Sequence, residues 1–177
     1  MPTLPQAFLH SISGVCGFNK DAFIQTHADA KPVTSIRINP NKITEAIHDL
    51  PIESKVPWCE NGRYLAERPS FTLDPIFHGG AYYVQEASSM FLHHVIKNIF
   101  PHNLPKRVLD LCGAPGGKST LLASALPNSF IVANEVIKTR VGILAENITK
   151  WGSDHVAVTH NDPTDFKKLP EIGRAHV

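Results

Sequence analysis

Residues 108 to 120, VLDLCGAPGGKST, set a run of small residues between an apolar stretch and a helical pattern. Small residues let a backbone turn sharply and approach a ligand, and the helix that follows offers unpartnered N–H groups to anionic oxygens. Three acids stand in related positions: Asp110 closes the apolar stretch, Glu135 follows SFIVAN, and Asp162 comes just after HVAVTH. Glu135 lies about 20 residues past the turn glycines, where a doubly wound fold places the carboxylate that accepts hydrogen bonds from ribose hydroxyls. Asp162, at the same edge, is placed to accept from an adenine amino group.

Two ligand types compete for such a turn. A phosphate-binding P-loop needs GxxxxGK[ST]; with Gly117, Lys118 and Ser119 as its end, the first glycine must fall at 112, where Cys112 stands. The P-loop reading therefore fails by one residue, and a full GxGxxG for a dinucleotide is also missing. Carboxylates beside the turn would repel a polyphosphate, so the set suits a nucleoside without phosphates, and S-adenosylmethionine fits.

The elements needed to position these residues are legible. RVLDLC, SFIVAN and HVAVTH read as short buried strands with helical patterns between them, the order of right-handed βαβ units in a parallel sheet. Ligands of such sheets bind outside the carboxyl ends of the strands. The second helix is well marked: Val141, Leu144, Ile148 and Trp151 share a face, Glu146 can pair with Lys150, and Gly152 stops it. Upstream, AYYVQEASSMFLHHVIKNIF carries a stripe of Phe91, Val95 and Ile99, with Leu92 and Ile96 beside it, and Pro101 ends it. Before Gly79 and Gly80 the chain reads as a small α+β unit. Asn19 caps the helix KDAFIQTHA, and VTSIRIN after Pro32 is expected to form a half-buried strand. KITEAIHDL follows the break at residues 39–41, and VPWC and RYLAERP are two extended candidates around the turn at residues 60–62.

The motifs together resemble one family. DLCGAPGGKS, ANE and the pair Asn161 and Asp162, with SIRINPNK, VPWCENGRYLAERP and GAYYVQEASSM upstream, are similar to the Nop/Sun-type RNA cytosine-5 methyltransferases, most of all the bacterial branch that modifies small-subunit ribosomal RNA. The resemblance covers about residues 1 to 170. It implies a Rossmann-like S-adenosylmethionine-dependent methyltransferase core of the α/β class, represented by its first three parallel strands over residues 81–170, behind an α+β accessory domain over residues 1–80. It implies that Cys112, Gly113, Ala114, Pro115, Gly116, Gly117 and Lys118 cradle the methionine part of the cofactor, that Glu135 holds the ribose hydroxyls and that Asp162 meets the adenine end. Lys118 would neutralise the cofactor carboxylate. Gln85, Ser88 and Ser89 either frame the pocket or serve as first-turn hydrogen-bonding residues of the next helix. RNA, in particular ribosomal RNA, is the implied substrate.

The family's chemistry uses one cysteine thiolate to attack carbon 6 of cytosine and a second to release the adduct, in Asp-Ala-Pro-Cys and Thr-Cys motifs. Neither motif is among these 177 residues, so no catalytic residue is assigned and the chain is expected to be inactive as it stands. The last residues, EIGRAHV, back-translate to a common sequencing-adapter sequence, and Glu171 to Val177 are expected to be a non-native tail. Genomic sequencing across that junction tests this.

Composition bounds the alternatives. A net charge of +1 with 42% hydrophobic and 19% charged residues describes a globular protein without a strongly basic signature. No apolar run approaches the roughly 18 residues of a membrane span, the N-terminus lacks signal-peptide order, and a cytoplasmic location is expected. The three cysteines, Cys16, Cys59 and Cys112, form no close pair, and the ten histidines are scattered, so neither a disulfide framework nor a metal site is encoded. All three cysteines read as structural, Cys112 as a small residue of the turn. One histidine of the pair His93 and His94 is expected to be partly buried and the other exposed; Tyr82 and Tyr83 either stack on a base or, the favoured reading, pack one ring in the core. Arg37, Arg63 and Arg68 either contact phosphates or are scattered surface charge. A P-loop-like nucleotide-binding module and a non-catalytic RNA-binding protein remain the rival readings.

Overall fold

The computed structural model describes residues 4–28, 33–100 and 106–168. Pro101, Pro32 and the tail from Glu171 lie outside them. The chain divides into two compact units, Met1–Val33 and Thr34–Val177. In the first, α1 (Gln6–Ser11) and α2 (Lys20–Ala28) are short helices. Asn19 caps α2, its Oδ1 accepting from the Ala22 N–H at 3.0 Å, and the rings of Phe18 and Phe8 meet Phe23 at 5.4 and 6.2 Å.

The second unit carries two sheets. Strands β1 (Thr34–Ile38), β2 (Ile52–Lys55), β3 (Gly62–Leu65) and β4 (Tyr82–Val84) form an antiparallel sheet in the order β2-β3-β1-β4, with the short helix α3 (Pro75–His78) before β4. RYL is thus a strand, whereas its partner is Ile52–Lys55 and VPWC forms the turn between them. KITEAIHDL tightens into a 3-10 helix over Glu45–Asp49. β1 departs from the half-buried strand expected of it. Val33, 76% exposed, lies outside the strand, and all five strand residues are buried. Ile36 packs with Leu65, Phe71 and Tyr82, and Ile38 with Ile47 and Ala81. The opposite face, Ser35 and Arg37, is closed by polar partners instead of water.

Strands β5 (Arg107–Asp110), β6 (Phe130–Asn134) and β7 (Val156–Thr159) form the expected parallel sheet in that spatial order. Helix α4 (Phe91–Ile99) precedes it; α5 (Gly117–Ala125) and α6 (Lys138–Trp151) connect its strands. In α4 the packed face is Leu92 and Ile96, which join Leu122, Leu126 and Ile131, while Phe91 and Ile99 are exposed. Of the expected stripe, Phe91 and Ile99 thus face outward, Val95 is half-buried, and Leu92 and Ile96 beside it carry the packing. His93 is buried and His94 exposed. In α6 Leu144, Ile148 and Trp151 are buried, Lys150 meets Glu146 at 2.7 Å, and Gly152 caps the helix in the left-handed region. No helix among the described residues is long and apolar enough to cross a membrane.

Residue 80 is not a break in packing. β4, just past it, completes the antiparallel sheet, and a Cβ on Gly80 would stand 1.9 Å from the carbonyl oxygen of Lys150 at the end of α6. Asn39 Nδ2 donates to the carbonyls of Gly80 at 3.0 Å and Trp151 at 2.9 Å, and Lys42 Nζ to that of Lys150 at 2.7 Å. Both side chains satisfy carbonyls that a helix C-terminus leaves without partners.

Candidate functional site

The chain leaves β5 at Asp110 and reverses into α5 through the glycine turn. Asp110 accepts from Ser119 Oγ at 2.7 Å, tying the strand end to the first turn of α5. Gly113 N–H donates to the Asn134 carbonyl at 2.7 Å, the Ala114–Pro115 bond is cis, and Gly116 adopts φ +114°, a left-handed conformation that glycine enters without strain. A Cβ on Gly113 would come within 2.8 Å of Ser119 Oγ, so this glycine is required by close approach. The outer side of the turn is held from α6: Arg140 Nη2 donates to the Ala114 carbonyl at 2.6 Å and Asn147 Nδ2 to that of Pro115 at 2.7 Å.

Glu135 is 2% exposed. Its carboxylate accepts from the Ile137 N–H at 2.9 Å and the Ala114 N–H at 3.3 Å, with the Arg140 guanidinium 3.6 Å away. The Ile137 N–H first, and Arg140 with the other backbone donors after it, hold its pKa below the ordinary carboxylate value against the opposing effect of burial. Neighbouring Asn134 is a buried hub: Nδ2 donates to the carbonyls of Leu111 and Asn161, and Oδ1 accepts from Thr159 Oγ1 and the Asn161 N–H, at 2.9–3.2 Å. It therefore ties the ends of all three parallel strands to one another. Asp162 is exposed at the end of β7, where its Oδ1 accepts from the side chain and N–H of Thr164, which lower its pKa.

A cleft of about 220 Å³ opens where the turn faces the antiparallel sheet. Cys112, Gly113, Ala114, Pro115, Gly117 and Lys118 line it on one side, and Tyr83, Val84, Gln85, Glu86 and Ser89 on the other. Gly116 is buried within the turn, Glu135 reaches it through Ala114, and Ser88, bonded to Glu86 at 2.7 Å, and Asp162 lie outside the lining. Cys112 is exposed, Cys59 buried and Cys16 exposed, all as free thiols. Tyr82 is buried with its hydroxyl donating to Asp74, whereas the half-buried Tyr83 ring lines the cleft and meets Trp151 edge-on at 6.5 Å.

The arginines separate. Arg63 bonds to local carbonyls and Arg68 lies over Phe71, 5.3 Å from its ring centre. Arg37 is neither a surface charge nor an accessible phosphate contact, being 1% exposed behind the cleft. Its Nε donates to Gln85 Oε1 at 2.8 Å, Nη2 to Thr120 Oγ1 at 2.6 Å and the Gly117 carbonyl at 3.3 Å, and the guanidinium lies 4.4 Å from the Trp151 ring centre. Sequence reasoning missed the roles of Arg37, Asn134, Arg140 and Asn147. An alternating Ser-Ile-Arg-Ile strand and an asparagine at a strand end are the only local signals they leave.

Two stretches of the chain match known families. Residues 4–87 match the family model of the N-terminal domain of 16S rRNA methyltransferase RsmF, and residues 98–174 that of 16S rRNA methyltransferase RsmB/F. The chain is 36% identical over 184 residues to ribosomal RNA small subunit methyltransferase F of Shewanella loihica, covering 95% of this chain and 37% of that protein. It thus spans between a quarter and just over a third of the length of the curated relatives it matches. Among solved structures it is similar to a methyltransferase homolog protein from Pyrococcus horikoshii, with 26% identity, a TM-score of 0.67, and coverage of 94% of this chain and 60% of the other. NSun6 from the same organism, solved with SFG, shares the fold with a TM-score of 0.73 at 15% identity, over 94% of this chain and 68% of that one.

Proposed function

Since the chain belongs to the RsmB/F family of 16S rRNA methyltransferases, with an RsmF-type N-terminal domain, we propose that it is the cofactor-capturing part of an enzyme that methylates carbon 5 of cytosine in ribosomal RNA, using S-adenosylmethionine. When bound, that cofactor supplies an electrophilic methyl group on a sulfonium sulfur. The observation that carries the reading is the glycine turn, folded so that its backbone lines an open cleft while Glu135 braces it from behind. A Cβ on Gly117 would lie 3.4 Å from Gln85 Nε2 and Tyr83 Cε1, at the limit of ordinary contact, so the turn comes close to the opposite wall of the cleft there.

In this reading Cys112 to Lys118 hold the methionine part, with the first N–H groups of α5 and the Lys118 ammonium turned to its carboxylate. Glu135 is ionised and uses two of its roughly four lone-pair positions on backbone N–H groups, leaving capacity for ribose hydroxyls. Asp162 meets the adenine end. These 177 residues carry neither a Pro-Cys nor a Thr-Cys motif, so they capture cofactor without turning it over.

Calorimetry tests the cofactor. S-adenosylmethionine is expected to bind the chain, and Asp162→Ala and Glu135→Ala to weaken it at least tenfold; unchanged affinity in Glu135→Ala rejects that residue as a ribose ligand. Saturable binding of ATP with magnesium in its place would favour the P-loop reading. Mapping 5-methylcytosine in the ribosomal RNA of a strain lacking the gene tests the substrate: one modified position disappears, and retention of all of them rejects cytosine-5 methylation of that RNA.

A further inference from the structure

Arg37 is the largest fully buried side chain in the described residues, and among those residues it forms no ion pair. Its partners are neutral: an amide oxygen, a hydroxyl, two backbone carbonyls and an indole face. Burying a cation without an acid is costly, and a tie among neutral acceptors does not require a charge. Burial pulls its pKa down to about 10, which still leaves the guanidinium charged at neutral pH. A fixed positive charge therefore sits behind one wall of the cleft.

What it touches there is Gln85. The guanidinium has only donors, so it fixes which end of the amide faces it: Oε1 accepts from Arg37 at 2.8 Å. Nε2 is turned the other way and donates to the Gly117 carbonyl at 3.2 Å, beside the turn. An amide nitrogen carries two hydrogens, and Gln85 lines the cleft together with Gly117 and Lys118. Glu86 adds one negative charge to the same lining, against Lys118 within it and Arg37 behind it. Gln85 on one wall and Lys118 on the other thus give the cleft a donor site, with one cation in its lining and one behind the Gln85 wall.

We propose that Gln85 is a specificity-determining donor to the carboxylate at the amino-acid end of the cofactor, and that Arg37 is the positioning residue that fixes the Gln85 amide for it. The inference rests on the cofactor reading above and adds to it a residue pair from the antiparallel sheet and the segment after β4. It makes the N-terminal part of the chain a component of the cofactor site and gives the buried charge a task.

The test compares S-adenosylhomocysteine with 5′-methylthioadenosine, a nucleoside thioether that lacks the amino-acid end, on the whole chain by calorimetry. The unsubstituted protein binds the first at least tenfold more tightly. Gln85→Glu keeps an acceptor for Arg37 but loses the donor both to the Gly117 carbonyl and to the ligand, and the site then repels an anion. It is expected to lose at least tenfold affinity for S-adenosylhomocysteine while binding 5′-methylthioadenosine within twofold of the unsubstituted value. Arg37→Lys keeps the charge without the planar fork and falls between the two. Equal loss of both ligands, or unchanged S-adenosylhomocysteine binding in both variants, overturns the inference. Equal affinity of the unsubstituted chain for the two ligands overturns it and leaves the cofactor reading standing, whereas binding of neither removes both.

Discussion

The two sheets of the second unit put their polar residues to opposite uses. In the parallel sheet the strands are apolar runs, and the polar residues that matter, Asp110, Asn134 and Thr159, sit at the carboxyl ends where the turn and the loops begin. In the antiparallel sheet the polar residues Ser35 and Arg37 lie inside the central strand and are fully covered: Ser35 Oγ donates to the Gln85 carbonyl at 2.6 Å and Arg37 reaches α5. One sheet presents its carboxyl end to the cleft; the other presents its polar face as the wall behind that end. Alternation along a strand therefore identifies two faces, but what packs on the polar face decides whether it is wet.

The most direct way to break this arrangement is at the contact between the loop before β4 and the end of α6. Gly80 has φ +74°, and a Cβ there would stand 1.9 Å from the Lys150 carbonyl oxygen. Gly80→Ala combines a strained backbone with an overlap that only backbone movement relieves, at a combined cost of about 3–5 kcal/mol. The expected result is a large fall in the urea midpoint at unchanged slope. A loss below about 1 kcal/mol would mean that the two sheets are not rigidly joined through this contact.

The parallel side has its own weak point. Asn134→Ala removes a buried side chain that makes four hydrogen bonds and leaves groups of the half-buried Leu111 and Thr159 and of the exposed Asn161 without that partner. A destabilisation of about 2–3 kcal/mol is expected, less than at Gly80 because no atom is forced into another. The two variants sharpen the comparison through cofactor binding as well. Asn134→Ala loosens the strand ends that carry the turn and is expected to weaken S-adenosylmethionine binding under conditions where the protein remains folded. Lys42→Met, which removes a contact to the Lys150 carbonyl, costs about 1 kcal/mol and leaves cofactor affinity unchanged. Equal effects of Asn134→Ala and Lys42→Met on binding would contradict this separation of roles.

The same contrast explains what could be read from the sequence. RVLDLC, SFIVAN and HVAVTH are legible as short apolar runs bounded by turn residues, although β5 and β7 are at most half-buried and Phe130 is exposed, and the helix 138–151 is legible because its buried positions recur at helical spacing. The glycine turn was legible because its geometry demands small residues at fixed places. VTSIRIN was misread as half-buried because nothing local says that Gln85, Thr120 and Trp151, between 48 and 114 positions further on, will satisfy the guanidinium. The apolar content of VPWC suggests a strand, whereas Gly62 lies against Val56, with a Cβ there only 2.7 Å from that of Val56, and the intervening residues turn. Glu135 was placed by its distance from the glycines, but its bonds to Ala114 and Ile137 belong to the tertiary fold.

The smallest expected effect concerns that carboxylate and is a dependence on pH. Glu135 titrates below its ordinary value in the folded chain, first because of the Ile137 N–H and less because of Arg140. A carboxyl group with a depressed folded pKa adds stability that is fully present above its unfolded pKa and is lost as the pH falls through the folded one. Glu135→Gln cannot carry the charge and turns a donor toward donors, so at pH 7 it is less stable than the unsubstituted chain. Below about pH 4.3, the usual glutamate value, the unsubstituted protein begins to lose the same contribution, and the gap between the two narrows. Urea midpoints measured in steps from pH 7 to pH 3 read this directly. A gap that stays constant across the range would show that the charge on Glu135 does not brace the turn, and that its oxygens act there only as neutral acceptors.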